Sequence, residues 1–224
     1  MKDSEDKWIA ESNELIDKLN NKEKFSFARY GDGEMNCIFG LEGHNCDGHE
    51  YFPDMGARLL SILESSPDYY LGDAAIARRY WEPEIAILKS QNPDLKWINS
   101  DCLHLRSIAD TIWPFFDALK KRDVIMVAPE KLKAHSLFLC AYVTIPEKNC
   151  WLEYERIHKE ILEMIYDENV VVVYCASMMA NVLIDDFSDR CTNIDLGSLI
   201  DPYMGYLTRS HHKKIKNLSQ FWNE

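Results

Sequence analysis

A chain of 224 residues, 46% of them hydrophobic, is long and apolar enough for one domain with a sizeable core. Its 37 acidic residues face only 25 Lys and Arg, a formal net charge of −12, so the surface as a whole repels nucleic acid and a phosphate ligand must be met by a local cationic patch or a metal. The seven cysteines, an odd number without a Cys-x-x-Cys pair, read as reduced thiols; with no apolar leader at the start and no run of about 18 apolar residues, the expected location is the cytoplasm.

Residues 3–20 carry Trp8, Ile9, Leu15, Ile16 and Leu19 at three- and four-residue spacing, which predicts an amphipathic helix ending at Asn20 and Asn21. Phe25, Phe27 and Tyr30 with Ser26 and Ala28 predict a short buried strand. Its end carries Arg29, Asp32 and Glu34 interleaved with Gly31 and Gly33. The glycines permit positive φ and close approach of a ligand. In an extended segment Asp32 and Glu34 point to one side, where two carboxylates suit Mg2+ or Mn2+, and Arg29 offers a fork of donors for a phosphate. The same residues also describe a plain turn with a capping Asp and a solvated Glu.

Met35, Ile38, Phe39 and Leu41 predict a short helix whose first amides are available to an anion, followed by a loop rich in Gly43, Asn45, Asp47 and Gly48. Cys37, His44, Cys46 and His49 lie close in sequence but lack the regular frame of a zinc site. Residues 54–66 read as helix, Tyr69 to Leu71 as strand, and residues 84–91 as helix after Pro83. Arg78 and Arg79 beside Tyr80 and Trp81 read either as a grip for a diphosphate, sugar or acidic acceptor or as a solvated helix start. The strand expected over residues 96–100 opens onto Asn99, Asp101 and His104, at the edge where doubly wound sheets bind ligands; Ser100 or Asp101 also suits a helix N-cap.

Helical spacing over residues 105–120 is interrupted by Pro114, which predicts a kink or break. Val124 to Ala128 predict a buried strand turning through Pro129 and Glu130 into a helix, with Lys131 either reaching a phosphate or lying on the surface. Residues 141–145 read as strand, and Cys150 to Leu152 as the entry to a helix through Asp167. The β-branched run Val170 to Tyr174 predicts a strand buried on both faces at the centre of a mainly parallel sheet. Cys175, Ala176 and Ser177 open a helix over 178–187, with Ser177 as cap or phosphate donor and Cys175 as a packed thiol. A strand over 192–196 leads into Gly197 to Tyr203, and the basic run from Arg209 to Lys216 reads as a solvated helix or as a dock for acceptor phosphates or a membrane surface.

Arg29 to Glu34 resembles the Arg-x-Gly-Asp-Gly-Glu signature of the GT-D type glycosyltransferases, first catalogued as a domain of unknown function. Val124 to Leu132 resembles that family's central strand and Gly-Pro-Glu-x-Leu turn. Residues 170–183 with Asn193 to Gly197 resemble its last strand, helix and Asp-Ile-Gly segment. Cys175 to Ser177 stand where the family has a Gly-Pro-Thr type turn, and Ser198 where it often has His. The resemblance implies a Rossmann-like α/β domain and a metal, Mn2+ or Mg2+, on Asp32 and Glu34. It also implies transfer of a sugar from a nucleotide diphosphate donor, a uridine diphosphate sugar, to a glycan, glycolipid or glycoprotein acceptor. Asp195 and Asp201 resemble family acidic positions and are the candidate bases; capping or a structural hydrogen bond is the competing role.

The sequence thus predicts one domain over 1–224, an N-terminal helix over 1–20 and a basic tail over 209–224. Donor contacts are expected from Arg29, Gly31, Gly33, Asn99, Asp101 and Ser177. Two other functions use the same residues: a metal-dependent phosphohydrolase and a non-catalytic sugar-nucleotide-binding module.

Overall fold

The computed structural model describes residues 2–133 and 137–221; the last three residues of the expected tail lie outside them. Among the described residues seven strands form one sheet: Ser26–Tyr30 (β1), Tyr70–Asp73 (β2), Lys96–Asn99 (β3), Val124–Pro129 (β4), Ala141–Ile145 (β5), Val171–Tyr174 (β6) and Thr192–Asp195 (β7). Their order is β3-β2-β1-β7-β6-β4-β5, and each pairing is parallel. The α/β, Rossmann-like expectation holds. β6 lies between β7 and β4 and is buried along its whole length, as its β-branched run requires.

Parallel strands need crossovers, and the helices that make them cover both faces of the sheet. On one face Asp32–Ile38 (α2), Pro53–Glu64 (α3), Ala75–Gln91 (α4), Tyr154–Met164 (α7) and Met179–Phe187 (α8) bury Met35, Leu59, Ile85, Ile157 and Leu183 against Ala28, Val127 and Val172. On the other, Lys2–Asn21 (α1), Cys102–Ile108 (α5), Trp113–Leu119 (α6) and the segment after β7 bury Leu15, Leu103, Phe116 and Tyr203 against Phe27, Met126 and Val173.

Proline chemistry sets two of the interruptions. Pro83 lacks an N–H and crowds the carbonyl four residues back, and α4 kinks at Trp81, where φ is −127° and ψ 25°. Pro114 instead sits in the first turn of α6, where its missing donor costs nothing, so the expected long helix is two short ones.

Three local expectations are corrected. Residues 130–132 form a single 3-10 turn rather than a helix. The helix expected from Cys150 starts with a 3-10 turn at Cys150–Glu153 and becomes α-helical only at Tyr154, ending at Met164. The basic run is not a solvated helix: Ser210–Lys214 is a 3-10 turn, with His212 only 1% exposed, because its histidines are drawn against α5.

Candidate active site

β1 and β7 are neighbours, yet the chain leaves them toward opposite faces. After β1 it enters α2, on the face of Met35 and Cys37; after β7 it passes through Leu196, Leu199 and Ile200 on the other face. Such a divergence opens a crevice beyond the strands' C-terminal ends. Arg29, next to last on β1, reaches into it. Its Nε donates to the Ser100 carbonyl at 2.8 Å and its Nη2 to Asp101 Oδ1 at 3.1 Å. Asn181 of α8, fully buried, fixes the strand end by donating to the Arg29 carbonyl at 2.9 Å.

The other side of the guanidinium lies against Gly197. A Cβ there would stand 2.1 Å from Arg29 Nη1, and Gly197 has φ +51°, so both the close approach and the backbone require glycine. Asp195 accepts a hydrogen bond from the Gly197 amide at 2.8 Å and faces Arg29. Around one guanidinium thus stand three carboxylates, those of Asp195, Asp101 and Glu34. Burial pushes Glu34 up to about 7, with Asp195 adding to the rise, and burial likewise pushes Asp195 up to about 6 despite Arg29.

The Asp32–Glu34 triplet departs from the extended form expected of it. It is the first turn of α2, and Glu34 folds back to accept from the Gly31 amide at 2.7 Å, as an acid at this position of a helix does. Neither Gly31 nor Gly33 has positive φ. Gly31 is instead tight for space, since its Cβ would lie 3.1 Å from Glu34 Oε2 and press on that side chain, whereas a Cβ on Gly33 would make ordinary contact with Asn45. Residues two apart on a helix project about 200° apart, so a common side is lost. The two carboxylates still border common ground, because both add to the rise of the half-buried Tyr51 phenol, of which desolvation is the largest cause.

Asp201 belongs to an adjoining set. It is 7% exposed, accepts from the Thr208 hydroxyl and lies near Arg209, Asp47 and Lys131; burial raises it to about 6. Cys175 feels both Asp201 and Asp195, and burial drives its thiol far up, so it is the packed thiol expected. Arg209 pairs with Asp47 of the 43–48 loop, tying that loop to the C-terminal segment. Ser177, with φ +52°, does not cap α8; its hydroxyl accepts from Asn45 Nδ2 at 2.8 Å and anchors the same loop. Asn99 is also internal: its Oδ1 accepts from the Asp101 amide at 2.8 Å, which presents Asp101 to Arg29. Asp101 occupies the N-cap position of α5 without capping it.

Other sequence candidates are engaged with neighbours of their own. Lys131 pairs with Glu147 at 2.7 Å and lies over the Tyr206 ring. Arg78 is turned to Asp73 at 3.4 Å and Arg79 to Tyr80, on α4. The seven cysteines are unbridged, with Cys37 buried and Cys46 exposed.

Among the described residues no group of three or more His, Cys, Asp or Glu is placed to hold a metal ion. The donor chemistry nonetheless suits a hard cation: Asp32 and Glu34 offer carboxylate oxygens, and around Arg29 the carboxylates of Glu34, Asp195 and Asp101 outnumber its single positive charge. Mg2+ and Mn2+ take part of their oxygen ligands from water and substrate phosphates, so one or two protein carboxylates suffice. The residues that sequence reasoning passed over are Asn181, Asn45, Asp47 and Gly197 as a contact of Arg29. Only Gly197 carried a local signal, its place after Asp195 and Leu196.

No model of a known protein family matches the chain, and no curated protein matches it. Solved structures do. A glycosyltransferase (DUF1792) from Streptococcus sanguinis, 20% identical, superposes with a TM-score of 0.65 over 87% of this chain and 84% of its own. A structure described as the highly conserved domain of unknown function 1792, with a distinct glycosyltransferase fold, is 21% identical with a TM-score of 0.63 over 85% of this chain and 79% of its own. A selenomethionine-substituted structure of domain of unknown function 1792 gives 0.61 at the same identity. The fold implied by the resemblance of Arg29 to Glu34 is the fold observed.

Proposed function

We propose that this chain, sharing the fold of the domain 1792 structures, is a metal-dependent glycosyltransferase that moves a sugar from a nucleotide diphosphate donor, a uridine diphosphate sugar, to a hydroxyl of a glycan or glycoconjugate. The observation that carries the reading is the Arg29 crevice, where one cation and a surplus of carboxylates meet at the β1/β7 divergence. Neighbours of the same fold bear the description glycosyltransferase, which supports the reaction class.

In this reading Asp32 and Glu34 hold Mg2+ or Mn2+, and the bound ion supplies countercharge to the leaving diphosphate. Arg29 adds a fixed positive charge, held in place by Ser100 and Asp101 rather than left to be ordered on binding. Asp195, engaged by the Gly197 amide and Arg29, keeps that guanidinium in the crevice. Asp201 is the better base for the acceptor hydroxyl: like Asp195 it is raised to about 6, ionised at neutral pH yet basic enough to take a proton, and unlike Asp195 it is not committed to the Gly197 amide.

Titration calorimetry of UDP with and without Mn2+, on the native chain and on Asp32→Ala and Glu34→Gln, tests the reading. Metal-dependent binding that weakens at least tenfold in both variants is expected. Absence of UDP binding in the presence of Mn2+, or binding indifferent to both substitutions, overturns it.

A further inference from the structure

A cluster of imidazoles lies beside Arg29 that the proposed transfer does not use. His104 lies in the first turn of α5, three residues after Asp101, and feels the charge of Arg29. It is 5% exposed, and neither ring nitrogen has a hydrogen-bond partner. His211, from the C-terminal segment, meets it edge-on with ring centroids 5.5 Å apart, and His211 Nε2 is likewise buried and unpartnered. His212 packs against His211 at 4.6 Å; its Nδ1 accepts from the Arg209 amide at 3.3 Å, which leaves Nε2 as the donor, short of a partner too.

A histidine that merely fills a core has at least one nitrogen satisfied, because an unmade buried hydrogen bond is costly. Here His104 has neither nitrogen satisfied, and the Nε2 atoms of His211 and His212 are left over beside it. The charges facing the cluster are mostly positive: Arg29 from β1 and Arg209 from the C-terminal segment act on His104, and Arg209, Arg29 and Lys214 act on His211, against a single carboxylate, Asp101, which Arg29 already engages. Unpartnered N–H donors in a positive surrounding lack an oxyanion.

We propose that His104 and His211, with Arg29, form a binding site for a phosphate group. Each imidazole donates an N–H to a phosphate oxygen, and Arg29 contributes charge from the crevice side. His211 is partly exposed, so the phosphate enters at its edge, under the 210–214 turn. In the empty site, burial and the neighbouring cations hold the rings neutral; a bound phosphate stabilises their protonated forms, so binding takes up protons. The phosphate belongs either to the nucleotide donor or to a phosphorylated acceptor. The site needs no metal, so it stands or falls separately from the Mn2+-dependent donor reading.

Calorimetry in EDTA, with inorganic phosphate and UDP as probes, at pH 6 and pH 8 and in two buffers of different ionisation heat, decides the matter. Expected are binding of inorganic phosphate at pH 6 with net proton uptake, at least tenfold weaker binding at pH 8, and loss of the uptake in His104→Gln and in the more exposed His211→Asn, checked as folded by circular dichroism. Competition between UDP and phosphate assigns the site to the donor's diphosphate. Independent binding of the two assigns it to an acceptor's phosphate. Binding of neither probe to the native chain in EDTA, or proton uptake unchanged in both folded variants, overturns the proposal.

Discussion

The two walls of the crevice are built on different principles. The β1–α2 wall is local: within six residues Arg29 points into the crevice, Gly31 makes room and Glu34 caps the helix that follows. The wall formed by Gly197 to Lys214 is assembled from afar. Its Gly197 fits the guanidinium of β1, its Arg209 pairs with Asp47 of a loop before α3, and its His211 rests on α5. The contrast teaches that charge at this site is delivered by a short motif, whereas its placement is owed to residues with no motif of their own.

The largest test of that division falls on Gly197. In Gly197→Ala the Cβ meets Arg29 Nη1 and the residue must keep φ +51°, so a loss of about 1–3 kcal/mol is expected, read as a lower Tm. An unchanged Tm would show that Arg29 swings away without cost and that the far wall does not position it.

A middle-sized effect is expected from pH. Glu34 and Asp195 ionise less readily in the folded chain, so their contribution to stability is whole below their ordinary values of 4.5 and 3.8 and is lost as pH rises through about 7 and about 6. Glu34→Gln keeps an acceptor for the Gly31 amide and removes the titration, so above pH 7 it should be more stable than the native chain by about 1–2 kcal/mol. Added Mn2+ should close that gap by stabilising the native chain alone. Parallel Tm profiles for the two proteins between pH 4 and 8 would show that Glu34 is not the strained member of the local wall.

The smallest effect is expected where the far wall is tied by a surface pair. Arg209→Gln breaks the contact with Asp47, for which a loss of under about 1 kcal/mol is expected. Hydrogen exchange should still quicken at residues 43–48, because that pair is one of the ties on the loop, beside the Asn45–Ser177 bond and the bond from the Asn149 amide to His49 Nδ1 at 3.1 Å. Unchanged exchange would mean that Ser177 and Asn149 suffice.

Legibility followed the same line. The strands could be read because each is a short β-prone run between turn residues, and the break at Pro114 because a missing N–H acts locally. Arg29, Asp101 and Asp195 could be named because each sits at a strand end, where ligand sites of parallel sheets form. The extended form of Asp32 to Glu34 was misread because the two glycines masked a helix start whose cap, Glu34, lay in plain view. Of the two readings of the tail, the solvated helix fails because the partner of His211 lies on α5, more than a hundred residues earlier in the chain. Ser177 and Asn99 read as ligand donors, and the folded chain gives each a second task that no local pattern shows: their hydroxyl and amide oxygens accept from Asn45 and from the Asp101 amide, while the Ser177 O–H and the Asn99 Nδ2 keep their donor capacity.

The pairing of β1 with β7 also governs when the protein can begin to work. Ser26 and Asn193 are register partners 167 positions apart, so on the ribosome the first strand emerges long before its neighbour exists. Until then Arg29 has no Gly197 against it and the crevice has one wall. Contacts so distant in sequence are entropically expensive and form late. A nascent chain therefore carries Arg29 and its neighbouring acids without their second wall until residue 197 has been made, so the two halves of the site can meet only after the strand that joins them exists.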